Sequence, residues 1–238
     1  MLKQINAWLH DAPKEPSSSI DTIISAEIKD DAFYVAIHDL ACRADAGHIL
    51  EIGSSSGQGS TDAFVKGIRQ NPRRPILHCL EISRVRYKVL SDYYAADPQV
   101  RTYNVSSVPA EELPSPEIVA DFYHNTHTNL NSCPLDLVLS WLQTDRAYMV
   151  RTSITDGIRY VLAENHITTF DMVLIDGSEF TGDRELERVI GARWILLDDV
   201  NAFKNYRNYR RLAQDPRYRL AQEDWRLRNG FAIFERVN

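Results

Sequence analysis

The chain has 238 residues, of which 44% are hydrophobic and 25% are charged, and its formal net charge is −6. This composition is typical of a soluble globular domain and excludes a disordered or fibrous chain. The mild acidity argues against nucleic acid as a partner, because phosphate binding needs a basic surface. We expect a cytoplasmic protein, because no apolar run approaches the ~18 residues of a membrane span and the first 16 residues lack the apolar core of a signal peptide.

The first 30 residues are predicted to form a helical cap on a main domain that spans residues 31–238. Leu2, Ile5 and Trp8 recur at helical spacing, and a loop rich in proline and serine follows over residues 13–19. The apolar segment around Trp8 also suits the contact of a homodimer.

Beyond residue 30, short apolar runs alternate with helical patterns, as expected of a parallel sheet with crossover helices. An amphipathic helix after Asp30 ends at Gly47. Strands are predicted over 48–52, 76–80, 100–105, 170–175 and 193–197, with helices over 61–70, 84–95 and 183–190. Asn229-Gly230 favours a tight turn between two antiparallel strands, over 218–228 and 231–237. We therefore predict an α/β fold with a doubly wound, mostly parallel sheet of seven strands and a C-terminal antiparallel hairpin.

The connection between residues 104 and 170 is too long for a single crossover helix. It uses about 65 residues, whereas a dozen or more would suffice. Helical patterns occupy residues 117–124, 135–148 and 155–164, of which the last is predicted to be the crossover helix. Residues 109–153 are interpreted as an inserted helical lid over a ligand. Four aromatic residues of the lid suit the wall of an acceptor pocket, although such residues are more often core: Phe122, Tyr123, Trp141 and Tyr148.

Three further groups of residues receive no functional assignment. Eight basic residues lie between Lys204 and Arg228 against three acidic ones, and we interpret this stretch as a solvated helix face followed by a strand, not as an anion-binding patch. Asp121, His124 and His127, with Cys133 nearby, are interpreted as an exposed polar face and not as a metal site. The cysteines are odd in number and not closely spaced, so they are predicted to be reduced packing residues: Cys42, Cys79 and Cys133.

The most informative stretch runs from Ile49 to Thr61. An apolar strand leads into a turn with three glycines and then into a helix, so backbone N–H groups and a helix N-terminus face whatever lies over the turn. A Walker-type phosphate loop needs Gly-Lys-Ser/Thr, and no lysine occurs in the stretch before Lys66. The dinucleotide pattern G-x-G-x-x-G fails in both registers, because Ser55 interrupts one and Asp62 the other.

The remaining pattern, acidic-x-Gly-x-x-x-Gly-x-Gly, resembles the first motif of the class I S-adenosylmethionine-dependent methyltransferases. In that family the second strand ends in an acidic residue that accepts hydrogen bonds from the ribose hydroxyls, and here the second strand is followed by Glu81. The resemblance implies a Rossmann-like fold and S-adenosylmethionine as cofactor. It also implies a set of cofactor-binding residues: Glu51, Gly53, Ser54, Gly57, Gly59, Glu81, Ser106 and Asp176.

Two later strands resemble those of small-molecule O-methyltransferases of the catechol and macrocin type. One strand is followed by Asp176 and the next ends in Asp198-Asp199. The resemblance implies that these three aspartates bind a magnesium ion, which would bind two vicinal substrate oxygens and lower the pKa of the one to be methylated. In the opposing interpretation, Asp176 lines the methionine end of the cofactor site and the aspartate pair is solvated or caps a helix.

The chain departs from the family pattern at two positions. Glu179 replaces the lysine that follows the first metal-site aspartate by three residues, and Gly191-Ala192 replaces a glycine pair. Glu179 is therefore a candidate catalytic residue by position, together with Asp176.

The sequence thus predicts methylation of a small-molecule hydroxyl group, assisted by a divalent metal, with the acceptor undetermined. Two alternatives stay open. One is a metal-independent enzyme that methylates nitrogen or a single hydroxyl, and the other is a non-catalytic interaction module that keeps the cofactor fold.

Overall fold

The computed structural model describes residues 20–237, so most of the predicted N-terminal cap lies outside the described residues. Residues 20–31 contain no helix or strand. The elements that follow are α1 (Ala32–Arg43), β1 (His48–Ile52), α2 (Ser60–Gln70), β2 (Ile76–Glu81), α3 (Arg84–Tyr94), β3 (Val100–Asn104), α4 (Pro116–Asn125), α5 (Leu135–Met149), α6 (Gly157–Glu164), β4 (Met172–Ile175), α7 (Gly182–Val189), β5 (Trp194–Asp198), α8 (Phe203–Gln214), β6 (Tyr218–Asp224) and β7 (Phe231–Arg236). Within residues 20–237, no helix has the length and apolar content needed to cross a membrane.

The seven strands form one sheet in the order β3-β2-β1-β4-β5-β7-β6. Strands β1 to β5 are parallel, and β7 runs antiparallel to both β5 and β6. The strand order reverses between β1 and β4, where Ile52 pairs with Ile175. At such a point the connections leave in opposite directions and open a crevice at the carboxyl ends of the strands. The predicted doubly wound sheet with a terminal hairpin is confirmed.

Helices cover both faces of the sheet, because successive strand residues point to opposite sides. Ile49 of β1 packs in one core with Phe33 of α1 and Phe64 of α2, whereas Leu50 belongs to a second core with Phe122 and residues of α5 to α8. The parallel strands are therefore buried on both faces. This burial explains why they read as continuous apolar runs in the sequence.

The turn of the terminal hairpin differs from the prediction. Six residues (225–230) connect β6 to β7, instead of a two-residue turn at Asn229-Gly230. The residues with positive φ are Arg228, at 52°, and Gly230, at 81°. The longer loop brings the guanidinium of Arg228 to the carboxylate of Asp198 at the end of β5, with Nη2 2.9 Å from Oδ1.

The insertion between β3 and α6 packs against α7 and α8. It comprises α4, α5 and two short 3-10 helices at Ala110–Glu112 and Asn129–Ser132. The ring of Phe122 lies edge-on to Phe203, with ring centroids 4.9 Å apart, so this residue is core. Trp141, by contrast, is 37% exposed and lines the cavity described below.

A buried arginine, Arg188, forms ion pairs that link the insertion to α7. The Nη2 atom of Arg188 on α7 lies 2.7 Å from Oε1 of Glu112 and 2.9 Å from Oδ2 of Asp156, and the arginine side chain is only 6% exposed. Removal of one partner from such a pair leaves the other charges unpaired, which costs about 3 kcal/mol. We therefore expect Arg188→Met to lower the free energy of unfolding by about 3 kcal/mol in a urea titration.

The matched control for this prediction is Arg184→Met, one turn earlier on the same helix. Arg184 pairs with Glu187 at 2.8 Å, but both side chains are about half exposed. An exposed pair of this kind contributes less than about 1 kcal/mol, because water screens it. Equal losses in the two variants would contradict the structural role given to Arg188.

Candidate active site

A cavity of about 460 Å³ opens at the carboxyl ends of β1, β2 and β4. Ile24 and Ile28, from the segment before α1, contribute to its wall, as do Trp141 and Met149 of α5. Eight of the residues singled out in the sequence meet there: Gly53, Ser54, Gly59, Glu81, Ser106, Asp176, Glu179 and Asp199. Residues far apart in the sequence are thus brought to one place by the switch in strand order.

The turn after β1 is held close to β2 and β4. The backbone N–H groups of Gly53 and Ser54 both donate to the carbonyl oxygen of Leu80, at 3.0 Å. Gly53 has a φ of 89°, and a Cβ atom there would overlap the carbonyl oxygen of Asp176, so only glycine fits. The buried hydroxyl of Ser55 has no hydrogen-bond partner among the described residues, which leaves it available to a ligand.

Glu81 connects this turn to the start of α3. Its Oε2 accepts a hydrogen bond from the backbone N–H of Ser55 at 2.7 Å, and its Oε1 accepts one from Ser83 at 2.7 Å. Each carboxylate oxygen keeps a second lone pair, and the residue lines the cavity. Burial raises the pKa of Glu81, although the Ser83 amide opposes this shift. The carboxylate is therefore placed to accept two hydroxyl groups of a bound molecule.

Two of the predicted cofactor residues, Glu51 and Gly57, lie outside the cavity wall. Glu51 is fully buried, and its Oε2 accepts a hydrogen bond from the Thr61 hydroxyl at 2.7 Å, which joins β1 to the first turn of α2. Gly57 has a φ of 79°, and a Cβ there would lie 2.7 Å from Cδ1 of Leu90 on α3. In this structure both residues support the turn and do not contact the cavity.

The three aspartates that the sequence predicted to bind a metal do converge. Carboxylate oxygens of Asp176, Asp198 and Asp199 lie within 4.8 Å of one another. Asp199 has a φ of 56°, an uncommon conformation for a residue other than glycine. Asp198 is only 1% exposed, so its charge needs a partner within the protein.

That partner charge comes from Lys204 and Arg228. The Nζ atom of Lys204 lies 2.7 Å from Oδ1 of Asp176 and 2.6 Å from Oδ2 of Asp199. Arg228 binds Asp198 through one guanidinium nitrogen and Asp31 through another. Burial disfavours the ammonium ion, but the three carboxylates outweigh it and hold the pKa of Lys204 well above its usual value. The side chain of Lys204 is therefore positively charged in the folded protein.

These residues do not fit a divalent metal ion. One oxygen of each carboxylate is already engaged by a cation, Oδ1 of Asp176 and Oδ2 of Asp199 by Lys204, and Oδ1 of Asp198 by Arg228. The remaining oxygen of Asp199, Oδ1, accepts a hydrogen bond from Asn229 at 3.0 Å. A magnesium ion needs several free oxygen ligands at short distance. The geometry thus gives no support to the magnesium site expected from the sequence.

One side of the cavity, formed by α5 and the loop after β4, is acidic. Asp145 of α5 accepts a short hydrogen bond from the Ser178 hydroxyl, and burial raises the pKa of Asp145. The Oε1 atom of Glu179 accepts a hydrogen bond from the Phe203 amide at 2.8 Å. Burial raises the pKa of Glu179 to about 7; Lys204 opposes the shift. Glu179 is thus able to take up or release a proton near neutral pH.

This shift makes stability depend on pH. Between a pKa of about 4.5 in the unfolded chain and about 7 in the folded chain, the folded state binds more protons, so stability falls as pH rises. Because Glu179 is partly open to the cavity, we expect its share of this fall to be on the order of 2 kcal/mol. Glu179→Gln keeps the acceptor oxygen for Phe203 and should remove that share. Urea titrations of the wild type and of Glu179→Gln at pH 4.5 and pH 8 measure this difference. An equal loss of stability in the two proteins between these pH values would contradict a raised pKa of Glu179.

The sequence interpretation missed Lys204 and Arg228 as parts of the site. Both lie in the basic stretch that was interpreted as a solvated helix face and a strand, and most of that stretch is exposed. A signal was present for the lysine. Lys204, Asn208 and Leu212 are spaced four residues apart and lie on one buried face of α8. Because Leu212 is apolar, its position in the sequence indicates that this face, and Lys204 with it, is turned toward the core.

Comparison with known proteins gives the context of this site. No model of a protein family matches the sequence, and no curated protein sequence matches it significantly. Solved structures do match the fold. An O-methyltransferase from Bacillus cereus in complex with SAH has a TM-score of 0.54 at 14% identity, covering 98% of this chain and 96% of that one. A methyltransferase from Geobacter sulfurreducens has a TM-score of 0.55 at 11% identity, covering 100% and 98%.

A third match is the O-methyltransferase TomG from Streptomyces achromogenes, involved in tomaymycin synthesis and solved in complex with SAM. It has a TM-score of 0.54 at 14% identity and covers 99% of this chain and 95% of its own. In all three comparisons the match extends over nearly the whole of each chain. The chain therefore has the fold of class I O-methyltransferases.

Proposed function

We propose that the protein transfers a methyl group from S-adenosylmethionine to a small-molecule acceptor, with an oxygen as the methylated atom. The observation that supports this most strongly is the pairing of the glycine turn with Glu81 at the switch point of the sheet. Gly53 lets the turn pack against the backbone of Asp176 at the end of β4, and the turn and the Glu81 carboxylate line the same cavity. Matched structures solved with SAH or SAM have this fold.

The residues around the turn fit an adenosyl ligand. Glu81 would accept hydrogen bonds from the two ribose hydroxyls, and the unpartnered hydroxyl of Ser55 would donate to a polar atom of the ligand. Ser106, two residues after the end of β3, also lines the cavity, where we assign it to the adenine side. Asp176 lies between this region and the acceptor side.

When bound, S-adenosylmethionine supplies an electrophilic methyl carbon on a sulfonium leaving group. The new carbon–oxygen bond forms as the sulfur–carbon bond breaks, and the bonding electron pair stays on sulfur. The chain has to align the acceptor oxygen with that carbon and exclude water, which is where most of the rate enhancement arises. Trp141 would cover the acceptor, and Glu179 would take the proton of its hydroxyl group.

The experiment that tests this proposal is a calorimetric titration of the protein with S-adenosylhomocysteine. We expect saturable binding of one molecule per chain, which would justify a screen of hydroxylated acceptors for methyl transfer. Absence of binding would overturn the proposal and favour a non-catalytic role in which the insertion contacts a partner.

A further inference from the structure

The centre of the carboxylate cluster is occupied by a side chain. The ammonium of Lys204 lies 2.6 to 2.7 Å from two of the three aspartates, and the residue is 5% exposed yet lines the cavity. Arg228 is shared between Asp198 and Asp31, whereas Lys204 is held between Asp176 and Asp199. A divalent ion among these aspartates would lie beside the buried ammonium of Lys204, with little water to screen the repulsion.

The backbone that presents Lys204 is fixed on several sides. A Cβ atom on Gly182 of α7 would overlap the carbonyl oxygen of Lys204, so the two helices are in direct contact at this point. The next residue, Asn205, donates from Nδ2 to the carbonyl oxygens of Ile175 at 3.0 Å and Asp198 at 2.6 Å. The backbone that carries Lys204 is therefore anchored to α7 and to the ends of β4 and β5.

An ammonium group has three N–H donors. Two point to Asp176 and Asp199, which among the described residues are the carboxylates that contact Nζ. The third is left for an oxygen atom in the cavity. A magnesium ion would offer sites to two vicinal oxygens, whereas this lysine offers one donor to one oxygen.

We propose that Lys204 takes the place of the divalent cation, so that its ammonium binds the acceptor oxygen and methyl transfer needs no metal. The inference rests on the proposed function only for the identity of the reaction. Lys204 stays protonated throughout: it donates one hydrogen bond to the oxygen while that oxygen attacks the methyl carbon, and the hydroxyl proton leaves to Glu179. The preferred acceptor has a single hydroxyl group, such as that of a phenol, and does not require a second oxygen on the adjacent carbon.

The test is titration of Mn²⁺ into the protein, followed by the electron paramagnetic resonance of free Mn²⁺. We expect the wild type to bind no Mn²⁺ at this site at concentrations up to about 1 mM. Lys204→Ala frees Asp176 and Asp199, and we expect it to bind one ion per chain with a Kd at least ~10-fold below that limit. Lys66→Ala is the matched control, because Lys66 pairs with Asp62 on the surface of α2 and lies outside the cavity. It should behave as the wild type.

Stoichiometric binding of Mn²⁺ to the wild type would overturn the inference, and so would a folded Lys204→Ala protein that binds no more than the wild type. If Lys204→Ala fails to fold, the wild-type titration still decides. Methyl transfer that is undiminished by a chelator would support the inference independently. Because Mn²⁺ binding is measured without S-adenosylhomocysteine, failure of this inference can be distinguished from failure of the proposed function.

Discussion

Replacing Gly53 with alanine should destabilise the protein by about 4 kcal/mol and abolish binding of S-adenosylhomocysteine. The new Cβ would overlap the carbonyl oxygen of Asp176, which belongs to the backbone at the end of β4 and cannot rotate away. A φ of 89° adds a conformational penalty of about 1–2 kcal/mol for a residue with a side chain. Overpacking contributes the rest, about 1–3 kcal/mol. Urea unfolding and calorimetry measure the two losses.

Gly191→Ala separates the two causes of this loss. Gly191 has a φ of 113°, but a Cβ there would meet no atom within 4 Å. Only the conformational penalty should remain, about 1–2 kcal/mol, with ligand binding unchanged. If the two variants were equally stable, close packing of the turn against β4 would not be the reason for glycine at position 53.

Substitution of Glu81 by alanine should weaken binding of S-adenosylhomocysteine by at least about 100-fold. A hydrogen bond to a charged group contributes about 1.5–3 kcal/mol, and the two proposed bonds to ribose hydroxyls would be lost. The backbone amides of Ser55 and Ser83 also lose their acceptor, which loosens the turn. Calorimetric titration of the variant measures the change in Kd.

The control for Glu81 is Glu111→Ala, which removes an exposed carboxylate from the insertion and should leave affinity unchanged. Glu81→Gln tests whether shape or charge matters, because its amide nitrogen would face one of the two backbone N–H groups. If Glu81→Ala bound S-adenosylhomocysteine as tightly as the wild type, the assignment of the ribose site would be wrong.

Much of the fold was predictable from the sequence, because strands buried on both faces must be apolar throughout. The predicted β1 agrees with the structure at both ends, His48 and Ile52, and the other predicted strands are displaced by at most two residues at either end within the parallel part. The terminal turn was predicted wrongly. Asn229-Gly230 favours a tight turn locally, but the ion pair of Arg228 with Asp198 adds a tertiary contact that the dipeptide pattern does not contain.

The candidate site was predictable only in part. Asp176, Asp198 and Asp199 follow strands that end at the same edge, so their convergence followed from the topology. The positions of their charge partners, Lys204 and Arg228, did not follow from the topology. Lys204 is 28 residues from Asp176 in sequence, and whether a lysine turns inward depends on how α8 packs on α7 at Gly182, which hydrophobic periodicity leaves undetermined.

The ion pair between Arg228 and Asp198 affects when the chain can complete its folding during synthesis. During synthesis the glycine turn and Glu81 emerge first, and the three aspartates follow by residue 199. Their second cation emerges only with the loop after β6. Until then, the last parallel strand would end in carboxylates that repel one another, and the nascent chain should reach its final form only after the hairpin has closed. A ribosome-bound chain that stops before Arg228 should therefore be degraded faster by a protease than one that includes β7.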